Sequence, residues 1–286
     1  MSWLHTRINF TGFTLVICLI FLISTPLFSQ VLTDNQKERE QIFIARTKQF
    51  NEFADRFNLV TDFNGNPADS AFKALMPREK MIATLFDLRD SRIQPSGSDY
   101  SSLYTDLKKE FIDDVCSKNV LLDKYSPGII AEARARVIYM GEPKDIRLFL
   151  GQEISGNRSV KWVLISAKGD ILNVFKTDTT MVRFIPPSSN ETDFINLKRA
   201  LEDTDYLPYY ASKDYNPDLL TLFFYFIKAG IIKYEFAEEI TYHILDIPGW
   251  YMKVKDFNRD ELNSGWLITD LARNEYGITE FIKNLK

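Results

Sequence analysis

The sequence predicts an α+β protein in which N-terminal helices pack on a bent antiparallel sheet. Two observations carry this. Apolar residues recur at spacings of three and four before Asn119, and at a spacing of two after Ile130. Helices grouped ahead of strands, rather than alternating with them, belong to the α+β order. The composition, 45% hydrophobic and 26% charged, is that of a chain that buries a core.

Thr33 and Asp34 offer N-caps for a first helix reaching about Asn58, with Ile42, Phe43, Phe50, Phe53, Ala54 and Phe57 on one stripe. Asn64-Gly65-Asn66-Pro67 reads as a turn. A second helical stretch carries Phe72, Leu75, Met81, Ile82, Leu85 and Phe86, interrupted at Met76-Pro77 because the residue before proline is pushed out of the α region. Pro95-Ser96-Gly97-Ser98 is a loop, and a third helix follows with Tyr100, Leu103, Leu107, Phe111 and Val115.

From Ile130 to Met140 the alternation sets Ala131, Ala133, Ala135, Val137 and Tyr139 on one face, with Arg134 and Arg136 on the other. Gly141-Glu142-Pro143 turns into a strand from Ile146 to Gln152. Gly156-Asn157 turns into another from Val160 to Ala167, and Gly169-Asp170 into a fourth ending by Ile185. Pro186-Pro187 is the best internal boundary.

Beyond it the order repeats. A capping box at Ser188 and Glu191 starts a helix through Leu201, and Asn216-Pro217 starts another, Leu219 to Ala229, stopped by Gly230. That second helix is apolar nearly all round, so it reads as a buried helix. Strands resume at Ile231. Ile232, Tyr234, Phe236, Ile240, Tyr242 and Ile244 share one face, His243 lies on the polar one, and Glu238 marks a bulge or a division into two strands. Pro248-Gly249 leads into Trp250 to Phe257, and Asn263-Ser264-Gly265 into a last strand, Trp266 to Leu271.

The first 29 residues read as a signal peptide: Arg7, an 11-residue apolar run from Phe13 to Ile23, a break at Ser24-Thr25-Pro26, and Ser29 for cleavage before Gln30. The run is shorter than the roughly 20 residues that a membrane-spanning helix needs. An exported chain, periplasmic or secreted, is therefore expected, with no membrane association after cleavage. The organisation is then 1–29 signal peptide, 30–185 a first α+β unit, and 186–286 a second helices-then-strands unit.

Lys+Arg number 35 against 39 Asp+Glu. Cleavage removes Arg7 and no acid, so a net charge of −4 becomes −5. This mildly acidic surface offers no electrostatic ground for a nucleic-acid partner. Cys116 is the only cysteine after residue 29, and its neighbours Phe111, Ile112 and Val115 place it on a buried helix face rather than in a reactive setting.

Helices followed by a bent antiparallel sheet closing on a Trp-hydrophobic-Ile strand resemble the NTF2-like (cystatin-like α+β) fold. Lys161-Trp162-Val163-Leu164-Ile165 and Gly265-Trp266-Leu267-Ile268 carry the likeness. It covers Lys37 to Ala167, with 190–271 either a second, degenerate copy or an extension of the same sheet. Arg56-Phe57-Asn58 with Met76-Pro77-Arg78-Glu79 is similar to uncharacterised exported proteins of Gram-negative bacteria. The resemblance implies a cone-shaped pocket. Folds of this kind host isomerases, dehydratases and binding or assembly modules, so the fold alone assigns no activity. An isomerase of this kind would place an Asp or His base beside a Tyr donor inside the cone; Tyr242, Asp246 and Asp270 are the candidates that the alternation supplies. Asp246, before Ile247-Pro248-Gly249, and Asp270, near a strand end, read also as turn or edge residues.

Metal chemistry is poorly supported, since His243 is the sole histidine after residue 29 and no Cys or His pair has ligand spacing. No phosphate loop and no nucleophile elbow occurs, and no cofactor is indicated. Arg134, Arg136 and Arg147 read either as an anion-binding cluster or as part of a mixed solvated surface with acids such as Glu132. Tyr206, Tyr209, Tyr210 and Tyr215 form an aromatic-rich loop that reads as a recognition surface or as a cover for the second core. The sequence thus favours a non-enzymatic binding or assembly protein, with an unidentified protein or a small apolar ligand as partner. The alternative is a small-molecule binder or an isomerase- or dehydratase-type enzyme using the cone. N-terminal sequencing of the protein from its native envelope is expected to begin near Gln30. Intact Met1 in the membrane fraction would overturn the export reading.

Overall fold

The computed structural model describes residues 45–47, 49–93, 99–154, 159–175, 201–202, 204–212, 215–260 and 263–285. The expected signal peptide, Thr33–Asp34 cap, Pro186-Pro187 boundary and capping box at Ser188 lie outside these residues.

The elements run β1 (Ala45–Thr47), α1 (Phe50–Phe57), α2 (Ser70–Leu75), α3 (Arg78–Thr84), α4 (Asp99–Ser117), β2 (Ile129–Tyr139), β3 (Glu142–Ile154), β4 (Val160–Lys168), α5 (Leu219–Lys228), β5 (Ile232–Ile244), β6 (Trp250–Phe257), β7 (Asn263–Arg273) and α6 (Asn274–Leu285). The strands form one sheet in the order β1-β7-β6-β5-β2-β3-β4. Six of them are antiparallel neighbours, and β1 pairs parallel with the start of β7. Strands from both sides of Pro186-Pro187 therefore share one hydrogen-bonded surface.

Several local expectations are corrected. The first described helix starts at Phe50, and residues 45–47, expected to be helical, instead pair with Asn263–Gly265. A two-residue turn at Met140-Gly141 joins β2 to β3, with positive φ at both positions, and Glu142 and Pro143 already lie in β3. Asp170–Leu172 is a 3₁₀ turn after β4, and the fourth strand expected to end by Ile185 lies, from residue 176 on, outside the described residues. α5 is capped by Asp218, whose carboxylate accepts from the Leu220 N–H, so Pro217 stands before the cap. The last strand begins at Asn263, and α6 follows it, with Ile278, Phe281, Ile282 and Leu285 spaced three and four apart as a helical stripe. Other readings agree: α2 and α3 are separated at Met76-Pro77, Trp162 and Trp266 sit on antiparallel strands, and β5 bulges at Glu238.

One face of the sheet takes the helices before Asn119. Its core is aromatic: Phe53, Phe57, Phe86, Phe111 and Trp250 are fully buried, and the Phe111 and Trp250 rings meet edge to face at 5.2 Å. Cys116 is half-buried against this core, and burial raises its thiol pKa. The segments Arg56-Phe57-Asn58 and Met76-Pro77-Arg78-Glu79, distant in sequence, meet here. Arg78 Nε donates to the Phe57 carbonyl at 3.0 Å. Asn58 imitates a backbone pair with Leu122, donating to its carbonyl at 2.9 Å and accepting from its N–H at 2.8 Å. Buried Asn263 does the same work at the β7 edge, donating to the Thr84 and Phe86 carbonyls and accepting from the Leu88 N–H.

Farther along the same face, α5 covers the alanine stripe of β2. Only Phe223 and Phe226 are buried; Phe224, Tyr225 and Ile227 are exposed. The all-round apolar helix is thus covered on one side, against β4 and β5, which corrects the expectation of complete burial. Phe223→Ala and Phe226→Ala should each cost about 3 kcal/mol, whereas Phe224→Ala should stay within about 0.5 kcal/mol. Urea midpoints compare the three, and equal losses would show that the helix is covered all round.

Candidate functional site

Alternation along β2 gives the sheet two unlike faces. On the helix-bearing face, Ala131, Ala133 and Ala135 leave room above the sheet for large side chains from strands on either side. Trp162 of β4 and Tyr242 of β5 are separated by β3 and β2, a span of about 14 Å along a flat sheet. Their ring centroids are nevertheless 6.1 Å apart, so the long rings lean together over a concave floor. Tyr242 also lies 4.0 Å from Phe50 and 4.9 Å from Trp266.

Phe50, Trp162 and Tyr242 bound an open cleft of about 280 Å³ at the mouth of the concave face. Gln49, Asn51, Lys124, Tyr125, Gln152 and Val160 complete its lining. Deeper in, the concavity is filled by the aromatic core under α1 and α4. Burial raises the Tyr242 phenol pKa, so it stays protonated at neutral pH. Lys124 Nζ is 3.4 Å from Asp55, and its backbone carbonyl accepts a 3.1 Å hydrogen bond from Gln152 Nε2.

The opposite face is polar and is covered in part by α6. Gly277 lets this helix approach: a Cβ there would stand 2.8 Å from the Tyr251 Cβ and 2.9 Å from that of Ala272. Beneath α6, His243 Nδ1 lies 2.7 Å from the Tyr251 hydroxyl and Nε2 lies 2.9 Å from Glu132 Oε2. Phe281 stacks on the imidazole with centroids 4.1 Å apart. Burial lowers the His243 pKa, partly offset by Glu132. Burial alone would raise the Glu132 carboxyl, but the His243 hydrogen bond and the charges of Arg147 and Lys253 hold it below the usual carboxylate range. A neutral ring beside an ionised carboxylate fixes the tautomer: Nε2–H donates to Glu132, and Nδ1 accepts from the Tyr251 O–H. Burial pushes the Tyr251 phenol pKa up, consistent with a donor. Arg147, Lys253, Asp270 and Glu280 line the cleft of about 250 Å³ around this chain.

Of the residues singled out from the sequence, Tyr242 lines the aromatic cleft and Asp270 the polar one. Asp246 is exposed in the turn after β5. Tyr206, Tyr209 and Tyr210 are half-buried in a 3₁₀ segment, Tyr215 is exposed, and none of the four lines either cleft. Arg134, Arg136 and Arg147 sit among acids, with Arg136 2.6 Å from Glu238 and 3.1 Å from Asp145, which is the mixed surface. Among the described residues no group of three or more His, Cys, Asp or Glu side chains is placed to hold a metal, and no helix is long and apolar enough to cross a membrane.

His243 is the main correction. Alternation put it on the polar face, where a solvated side chain is expected, yet only 3% of it is exposed because α6 lies over that face. The link to Tyr251 was readable in principle, since both residues flank the Pro248-Gly249 turn on the same face of a hairpin. Gln152 and Trp162, directly paired across β3 and β4, had no comparable signal. Comparison of the chain with protein-family models, curated proteins and solved structures finds no match.

The depressed His243 pKa has a definite sign for stability. The unfolded chain takes up a proton on this ring near its ordinary pKa of about 6.5, where the folded chain does not. Stability is therefore level above that pH and falls below it until the folded ring titrates. Glu132 adds a loss of the same sign at lower pH. Urea midpoints taken from about pH 8 to about pH 4 should decline in this way, and His243→Gln should remove the first part of the decline. An unchanged slope in the variant would contradict the assignment.

Proposed function

We propose that this is an exported, non-enzymatic binding protein on an NTF2-like sheet, whose ligand lies in the aromatic cleft at the mouth of the concave face. The observation that carries the reading is how that face is filled. Phe53, Phe57, Phe111 and Trp250 occupy its depth, leaving an open rim of aromatic faces and amides. Such a surface provides contact area and a few orienting hydrogen bonds, which is what small-molecule recognition requires. General acid–base catalysis requires a titrating group at the reacting atom. The groups placed here are a phenol held protonated and a lysine close to an aspartate.

A second reading is favoured by the Glu132–His243–Tyr251 chain, whose order of carboxylate, imidazole and hydroxyl is that of a proton relay. In that reading the protein is an isomerase- or dehydratase-type enzyme, with Tyr251 as the group that exchanges a proton with substrate. Phe281 covers the relay and Tyr251 is 6% exposed, so α6 must move before a substrate reaches the hydroxyl.

The mature chain and its Trp162→Ala and Tyr251→Phe variants, screened by thermal shift against a chemically diverse small-molecule library, separate the readings. Ligands that raise the melting temperature of the wild type and of Tyr251→Phe, but not of Trp162→Ala, are expected. Ligands lost only in Tyr251→Phe would overturn the aromatic cleft in favour of the relay. No ligand of any class would overturn both.

A further inference from the structure

We propose that the aromatic cleft binds a neutral polyhydroxylated ring, a sugar residue of an oligosaccharide or polysaccharide; this deepens the binding reading above and rests on it. The key residue is Gln152, only 8% exposed and on the cleft wall. Its Nε2 donates to the Lys124 carbonyl at 3.1 Å. Flipping the amide would set its oxygen against that carbonyl, so the orientation is determined by the neighbour. Oε1 therefore faces away from Lys124, and it has no hydrogen-bond partner.

A buried amide oxygen without a donor is unfavourable, and a donating ligand group removes that cost. Carboxylates and phosphates at neutral pH chiefly accept hydrogen bonds, and a purely apolar ligand offers none. A hydroxyl donates and accepts. Oε1 is closed to solvent in the free protein, so the hydroxyl reaches it by displacing a side chain of the rim, a rotamer-scale change of the kind common on binding.

The rest of the lining matches the same chemistry. Trp162 and Tyr125 are 42% and 54% exposed, and they offer flat apolar faces for the C–H face of a saturated ring. Gln49 stands at the N-cap of α1 yet makes no side-chain capping bond, so its amide is available to ligand hydroxyls, as is the exposed Asn51 at the rim. Among the described residues Lys124 is the one charged side chain lining the cleft, and Asp55 stands beside it, so the site does not call for a charged ligand. Trp162 lies on β4, the last strand of the sheet, so a ring can enter from the side as part of a longer chain.

Tryptophan fluorescence tests this directly. Trp250 is fully buried and Trp266 is 9% exposed, which leaves Trp162 as the reporter in the mature chain. The mature protein is titrated with cellotetraose, chitotetraose, maltotetraose and xylotetraose, and with indole and a phenylalanine-containing tripeptide as non-saccharide probes. At least one saccharide should shift the emission saturably. Asn51→Ala and Gln152→Ala should each weaken that affinity roughly five- to tenfold. Calorimetry should show Trp162→Ala to abolish binding while the variant still unfolds in one cooperative transition, since the ring packs at the rim, against Tyr242. If indole or the tripeptide binds and no saccharide does, the sugar assignment fails while the binding reading stands. If no probe binds and the library screen is also empty, both fail.

Discussion

Both candidate sites in this molecule depend on the pairing of β2 with β5. It joins Ile129 to Ile244 and Tyr139 to Ile232, segments separated by β3, β4 and α5. Both clefts straddle this one ladder. On one face it brings Glu132 beside the strand that carries His243; on the other it sets Tyr242 next to Ala131, over which Trp162 reaches. Without it the sheet would be two separate meanders, and neither site would exist.

The two faces are stabilised by different physics. The helix-bearing face is held by apolar burial, with aromatic rings in mutual contact from Phe50 to Trp250. Each fully buried ring contributes about 1.5–3 kcal/mol by removal from water. The opposite face is charged, and its pairs are mostly part-exposed, Arg134 with Glu239 at 3.7 Å and Lys253 with Asp270 at 3.8 Å among them. Pairs of this kind contribute little to stability and leave the face soluble. The exception lies under α6, where loss of water makes the Glu132–His243–Tyr251 chain a matter of complete hydrogen bonding.

The edges of the sheet are handled unequally. β7 is covered by β1 and by residues 85–87, with Asn263 tying that segment down. Residues 232–240 of β5 extend past the end of the β6 ladder, and bulges at Glu235 and Glu238 interrupt that stretch. Bulges and charges are the usual means of keeping such a stretch from pairing with another chain. β4 ends the described sheet on the other side, bulges at Ile165, and carries Trp162 to the rim of the aromatic cleft.

The amino-acid pattern by itself determined the fold class, the helical stripe through Phe53 and Phe57, the break at Met76-Pro77, the alternation of β2 and β5, and an irregularity at Glu238 left open between a bulge and a division of the strand. All are local, set by side-chain period and by the backbone limits of proline and glycine. It also put Tyr242 on the correct face. Only the tertiary structure decided which strands are neighbours, that Ala45–Thr47 leaves a helical pattern to pair with β7, that α5 is covered on one side only, and that α6 buries His243. These depend on contacts between segments far apart in sequence, whose free energy is shared among many weak interactions and leaves no mark in any short window. Gln152 shows the reason most plainly: its identity suggests nothing, and its meaning comes from the Lys124 carbonyl on one side of its amide and an unfilled acceptor on the other.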